Sequence, residues 1–257
     1  MTGNDGRQEF RSQNGPLVDR LAHSVITKVS SYPHQHRARR VEIACKVLYA
    51  AATDNASFES EQLLADLTAL RIGRSDIVDR CIPCVASQLG EDWINDRLSF
   101  ATVTAASARL FGLCKTLGEE WSNVRPALNS RRLLLTTAGR ETHILGPAVL
   151  ADQLRRRGHS VQLHSNGTEG SISQLVSKNN FDGVFISVST WQALETASKA
   201  IRNLKQSGDR TLIVIGGAIV NEVAFDRSTT AADLTTNDID VALDAVSGND
   251  ISLQVAE

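Results

Sequence analysis

The chain has 257 residues, with 27 Lys and Arg against 29 Asp and Glu and a net charge of −2. That length can bury a real core in one large domain or two small ones, and the near-neutral balance argues against a dedicated nucleic-acid binder, whose domains are strongly basic. No stretch reaches the roughly 18 to 20 continuous apolar residues of a membrane span, the polar opening MTGNDGRQEFRSQNGP lacks an apolar signal core, and the four cysteines (Cys45, Cys81, Cys84, Cys114) are expected to stay reduced, so a cytoplasmic location is expected.

Residues 1–16 are polar and aperiodic and read as a disordered tail. From Leu17 to about Val124 the apolar positions recur every three or four residues: Leu17 to Val29, Val41 to Tyr49, Leu63 to Leu70, Ile77 to Leu89, and Phe100 to Leu117. Each run offers one buried stripe per helix, so residues 17–125 read as an all-helical domain, a bundle with one or two preceding helices. The segment Arg125-Pro126-Ala127-Leu128-Asn129-Ser130 is a linker, because Pro126 cannot continue a helix.

Beyond it, over 131–250, the rhythm changes to alternating strand and helix. Strands are predicted at Leu133–Ala138, Ser160–His164, Gly183–Val188, Thr211–Ile215 and Asp233–Thr236. Helices are predicted at Gly146–Arg157, Ser171–Ser177, Trp191–Leu204, Ile219–Phe225 and from about Asp238. The predicted fold class is therefore α plus α/β, an N-terminal helical bundle followed by a flavodoxin-like (Rossmann-type) sheet of five parallel strands wrapped on both faces. In such a fold the loops at the strand C-termini form the binding site.

Three segments fall in those loops: Glu141-Thr142-His143-Ile144-Leu145-Gly146, Ser187-Val188-Ser189, and Gly216-Gly217-Ala218. Together they offer an imidazole beside a carboxylate, a pair of hydroxyls, and backbone bare of side chains where a bulky group can approach. A carboxylate two residues away can hold the imidazole in one tautomer and raise its basicity.

These segments resemble the vitamin B12-binding signature Asp-x-His-x-x-Gly, followed by Ser-x-Leu and Gly-Gly. In that family the loop histidine replaces the cofactor's own benzimidazole under the cobalt, and the freed nucleotide tail enters the sheet-edge cleft. The resemblance implies His143 as the lower cobalt ligand and Glu141 as its hydrogen-bond partner. It further implies Gly146 beside the tail, Ser187 and Ser189 at the tail pocket, and Gly216 and Gly217 flanking the buried base. Glu141 stands where the pattern has Asp, and Ser189 where it has Leu. The helical stretch Leu89 to Phe111 is similar to the helix pair that caps the cofactor in B12-dependent methyltransferases and photoreceptors. Trp93 matches the tryptophan over the upper face of the corrin, whereas Val103 and Thr104 replace the usual Glu-His pair. The implied cofactor is cobalamin, as its hydroxo, adenosyl or methyl form.

The layout resembles the AerR/PpaA group of cobalamin-binding photosynthesis-gene antirepressors, which act through a DNA-binding repressor partner. That implies a B12-dependent transcriptional regulator rather than an enzyme. Its partner would be a repressor of the PpsR/CrtJ kind, any contact with DNA being indirect or weak, with no membrane and no small-molecule substrate. A corrinoid methyl carrier is the alternative, and a degenerate domain sensing redox or another ligand is a third reading. His34 and His36, with Arg37, Arg39 and Arg40, form a small basic run that reads first as a solvated helix start. Cys81 and Cys84 have the spacing of half a zinc site or a redox pair, but no second pair completes it and core packing is the simpler account. Arg155-Arg156-Arg157 closes a helix, where cations meet the dipole.

Overall fold

A computed structural model describes residues 37–54, 58–122, 129–208 and 210–248. The expected tail at 1–16, the helix Leu17–Val29, His34, His36 and most of the 125–130 linker lie outside the described residues. The chain divides into two compact units, residues 1–106 and 107–257.

In the first unit α1 (Arg37–Thr53) and α2 (Ser60–Ala69) precede a long helical stretch. That stretch is α3 (Arg74–Asp76), a π-helical turn (Ile77–Cys81) and α4 (Ile82–Ile94), with α5 (Phe100–Ser122) following. Pro83 sits in the first turn of α4 and has no N–H to give to the preceding turn. The wider π turn just before it meets that gap. Leu48, Leu67, Ile77, Ile82 and Leu89 bury their side chains completely, at about 1.5–3 kcal/mol each.

The second unit holds β1 (Arg132–Ala138), α6 (Leu145–Arg156), β2 (Ser160–Gly167), α7 (Glu169–Lys178), β3 (Gly183–Ser187), α8 (Trp191–Gln206), β4 (Leu212–Gly216), β5 (Leu234–Thr235) and α9 (Ile239–Ser247). All five strands are parallel, in the order β2-β1-β3-β4-β5. Side chains alternate between two cores. Leu134, Val184, Ile186, Ile213 and Ile215 pack with α7 and α8 residues on one face, while Leu133, Leu135, Phe185 and Val214 pack with Leu154, Ala242 and Val246 of α6 and α9 on the other. Coverage on both faces explains why β1 reads as an unbroken apolar run.

One predicted helix is absent. Residues 219–225 form only a 3-10 turn, Ala218–Asn221. An α-helix would place Val223 on the same face as Ile219, yet Ile219 is buried and Val223 is fully exposed. Ile219 is buried in the core and Val220 and Phe225 pack partly buried against it, a spacing that does not make one helical stripe. No helix among the described residues is long and apolar enough to cross a membrane.

Candidate functional site

The order of the strands fixes where a ligand can sit. From β1 the chain turns outward to β2 and then returns across β1 to β3, so the loops after β1 and β3 part and leave a crevice at their strand ends. Glu141 and His143 lie in the first loop and Ser189 in the second.

Glu141 is 3% exposed although it belongs to a loop. Its Oε1 accepts from the backbone N–H of His143 at 3.0 Å and meets His143 Nδ1 at 2.6 Å. Oε2 accepts from the backbone N–H of Ser189 at 3.0 Å. One carboxylate therefore ties the two loops together across the crevice. Burial pushes its pKa up, but the His143 backbone, the His143 ring and the Ser189 backbone outweigh burial and hold the group below its ordinary value. A carboxylate can only accept, so Nδ1 carries the proton of this hydrogen bond and Nε2 is left free of it. The ring is largely open, its side chain 67% exposed.

A cleft of about 240 Å³, which neither Glu141 nor His143 lines, lies between α6, strands β1, β3 and β4, and the start of α9. Leu135, Val149, Phe185, Val214 and Ile239 give it apolar walls, with Gln153, Ser187 and Asn237 as polar points. Gly146, Gly216 and Gly217 also line it. Ser187 stands level with Thr137 of β1 and Gly216 of β4. Ser189 does not line the cleft and joins the site through its backbone N–H.

The glycines divide by role. A Cβ at Gly146 would meet nothing within 4 Å. Gly217 has φ +104°, and a Cβ there would lie 2.4 Å from the Val188 carbonyl oxygen. One at Gly216 would lie 2.9 Å from the Thr236 carbonyl oxygen. The expected reason for the Gly-Gly pair, room for a bound base, is thus joined by a stronger one: the backbones of neighbouring loops already fill the space. Asn237, which sequence reading missed, fixes this corner. Its Oδ1 accepts from Gly217 N–H at 2.7 Å, and its Nδ2 donates to Gly217 O and to Asn221 Oδ1, both at 3.2 Å. The signal was an Asn-Asp pair opening the last helix, at the same sheet edge as the glycines.

Trp93 and Thr104 lie in the first unit. Trp93 is half-exposed, with its ring 6.4 Å from that of Phe100. The turn between them is fastened by buried Asp92, which accepts from Arg97 Nε at 2.6 Å and from the Tyr49 hydroxyl. Burial and that carboxylate push the Tyr49 hydroxyl up to about 12. Thr104 Oγ1 donates to the Phe100 carbonyl at 2.8 Å.

Residues 131–243 match the model of the B12 binding domain. A relative, an uncharacterized 20.5 kDa protein in the bchF-crtJ intergenic region of Rhodobacter capsulatus, is 32% identical over 183 residues, which is 70% of this chain and 95% of the relative. The chain belongs to the B12-binding domain family. Among solved structures, the monomethylamine corrinoid protein of Methanosarcina barkeri shares the fold, with a TM-score of 0.63 at 12% identity over 82% of this chain and 99% of that one.

The residues present suit a cobalamin. His143, on the loop that leads into α6, offers an exposed imidazole, Gly146 leaves its side of the cleft open, and apolar walls with few polar points are what a flat heterocyclic base requires. Cobalamin is the cofactor of the domain.

Proposed function

We propose that this chain is a cobalamin-binding transcriptional regulator that works through a DNA-binding repressor, as the AerR/PpaA-type antirepressors do, and is not an enzyme. The observation that carries the reading is the 32% identical relative, matched over 95% of its length, which is named for its place in the bchF-crtJ intergenic region. Thr104 supports it. The cap position that carries a histidine in the resembling methyltransferases and photoreceptors holds a hydroxyl already donated to its own helix, so this helix brings no imidazole from that position to the upper cobalt face. When bound, cobalamin would supply a cobalt centre with an exchangeable ligand. His143 would hold the cobalt, Glu141 would fix the histidine's tautomer, and the cleft would take the tail. A ligand changes a protein's equilibrium only by its differential affinity for two states. The half-exposed Trp93, assigned by the resemblance to the corrin's upper face, is the residue through which the state of the cofactor is read.

The test uses full-length protein loaded with hydroxocobalamin and a repressor of the PpsR/CrtJ kind. Visible spectra are recorded before and after illumination, and repressor affinity is measured with and without cofactor. Cobalamin is expected to change that affinity, and Trp93→Ala to retain the cofactor while removing the change. A corrinoid methyl carrier, the second reading, shares its fold with the monomethylamine corrinoid protein. Cobalt methylation by a partner enzyme, with repressor affinity indifferent to cobalamin, would establish that reading instead.

A further inference from the structure

Trp191 opens α8 and is 52% exposed. The buried stripe of that helix runs through Leu194, Ala197, Ile201 and Leu204, and Trp191, three residues before Leu194, continues it. It does not join the core that the stripe forms with the strands, because it stands at the end where β3 has given way to a loop. A single exposed apolar residue is ordinary on a protein surface; this one is set apart by its neighbours. Glu141, which holds the His143 ring, also accepts from the backbone N–H of Ser189 at 3.0 Å. Trp191 follows Ser189 by two residues, at most about 8 Å between Cα atoms. A Cβ on Gly139, where the His143 loop begins, would lie 3.3 Å from Thr196 Oγ1 of α8, so the same loop also rests on the helix. Thr190 caps that helix, its hydroxyl accepting from Ala193 N–H at 3.2 Å, which fixes the turn that carries the indole. Trp191 does not line the tail cleft. That cleft lies on the α6 and α9 face of the sheet, and α8 covers the opposite face.

We propose that Trp191 is a cobalamin contact, an indole that packs against the corrin ring on the α8 side of the strand ends. The assignment rests on cobalamin as the cofactor and His143 as the cobalt ligand, and is independent of the regulatory reading. A corrin is a broad, flat macrocycle around the cobalt, fringed by methyl groups and amide side chains. An imidazole bound to that cobalt brings the ring over its own loop and over what the loop rests on, which is the start of α8. The nucleotide tail leaves toward the α6 and α9 face, so the macrocycle needs a separate surface on the other flank. Indole suits that place, with a large apolar face for the methyl-fringed ring and one N–H for an amide carbonyl. A protein partner would also cover an indole, but only the cofactor is held through a loop bonded to Trp191's own.

The test titrates full-length wild type, Trp191→Ala and Trp191→Phe with two probes, hydroxocobalamin and cobinamide, the second having the corrin without the nucleotide tail. Trp191→Ala should weaken both by the same factor, roughly 10-fold, the scale of one well-placed aromatic contact. Trp191→Phe should recover most of that loss, and the cofactor-free variants should melt with wild type. In wild type, hydroxyl-radical footprinting read by peptide mass spectrometry should show Trp191 oxidised several-fold more slowly once hydroxocobalamin is bound. Ligation by His143 is read separately from the cobalt spectrum, so failure of that assignment and failure of this one are told apart. Any of three results overturns the proposal. One is wild-type affinity of Trp191→Ala for both probes. Another is a loss confined to hydroxocobalamin, which would put the indole at the tail. The third is Trp191 oxidation that bound hydroxocobalamin leaves unchanged, and suppression of it by a repressor alone would make a protein the occupant.

Discussion

Glu141 has one methylene more than the aspartate of the pattern it resembles, and its two oxygens serve two loops: Oε1 takes both His143 donors and Oε2 takes Ser189. Glu141→Gln keeps the size but replaces one acceptor oxygen with an NH₂ group that cannot accept, so one of the buried donors loses its partner. Titration with hydroxocobalamin should show affinity weakened by roughly 10- to 100-fold, whereas His143→Ala should abolish cobalt ligation and leave the fold unchanged. Equal loss in both variants would make Glu141 a structural residue only. Because its folded pKa lies below the ordinary glutamate value, the carboxylate's contribution to stability is fully present above that ordinary value and is lost as pH falls through the folded one. Acid-unfolding curves of wild type and Glu141→Gln should therefore differ at neutral pH and converge only below the usual glutamate range. The Glu-x-His spacing was legible in the sequence because both groups act through side chains. Ser189's part was not, since any residue there presents the same N–H.

At the scale of elements, the glycines lining the cleft should separate room for the cofactor from room the chain itself fills. Gly146→Leu projects into a region where a Cβ meets nothing. It should block the tail and remove cobalamin binding while the melting temperature of the cofactor-free protein holds or rises, since glycine in a helix costs about 0.5–1 kcal/mol relative to alanine. Gly217→Ala should behave oppositely. Its Cβ would collide with the Val188 carbonyl at a φ of +104°, so the cofactor-free protein should itself melt earlier, by at least the roughly 1–3 kcal/mol of a strained backbone position. Similar melting curves for the two variants would refute the division. The strands were legible because a sheet covered on both faces demands continuous apolar runs such as Leu133-Leu134-Leu135. The 219–225 segment misled because Ile219 and Val223 have helical i,i+4 spacing, and spacing does not record that Val223 is fully exposed.

For the whole molecule, the change of rhythm in the sequence marked helical and α/β regions, but the compact units divide within α5, at Ala106. Leu113 and Leu117 of that helix are buried, and a Cβ at Gly118 would lie 3.3 Å from Asp152 Oδ1 of α6. Chain rhythm registers where strands start, not which helix covers their flank. A fragment of residues 107–257 should unfold in a single cooperative transition, whereas a fragment of 131–257 should be less stable by about 2–5 kcal/mol, the scale of losing large buried aliphatic contacts. Denaturant titration of the two fragments measures the difference, and equal midpoints would place the boundary after α5.

The carboxylate bridge between the two loops also bears on the speed of cofactor capture. A free histidine side chain gives up rotational freedom when it takes a ligand, but His143 has given it up on folding, with its ring already fastened to Glu141. If His143 takes the proposed ligating role, its loop would need no rearrangement to hold cobalamin, and the rate of capture should not depend on motion of that loop.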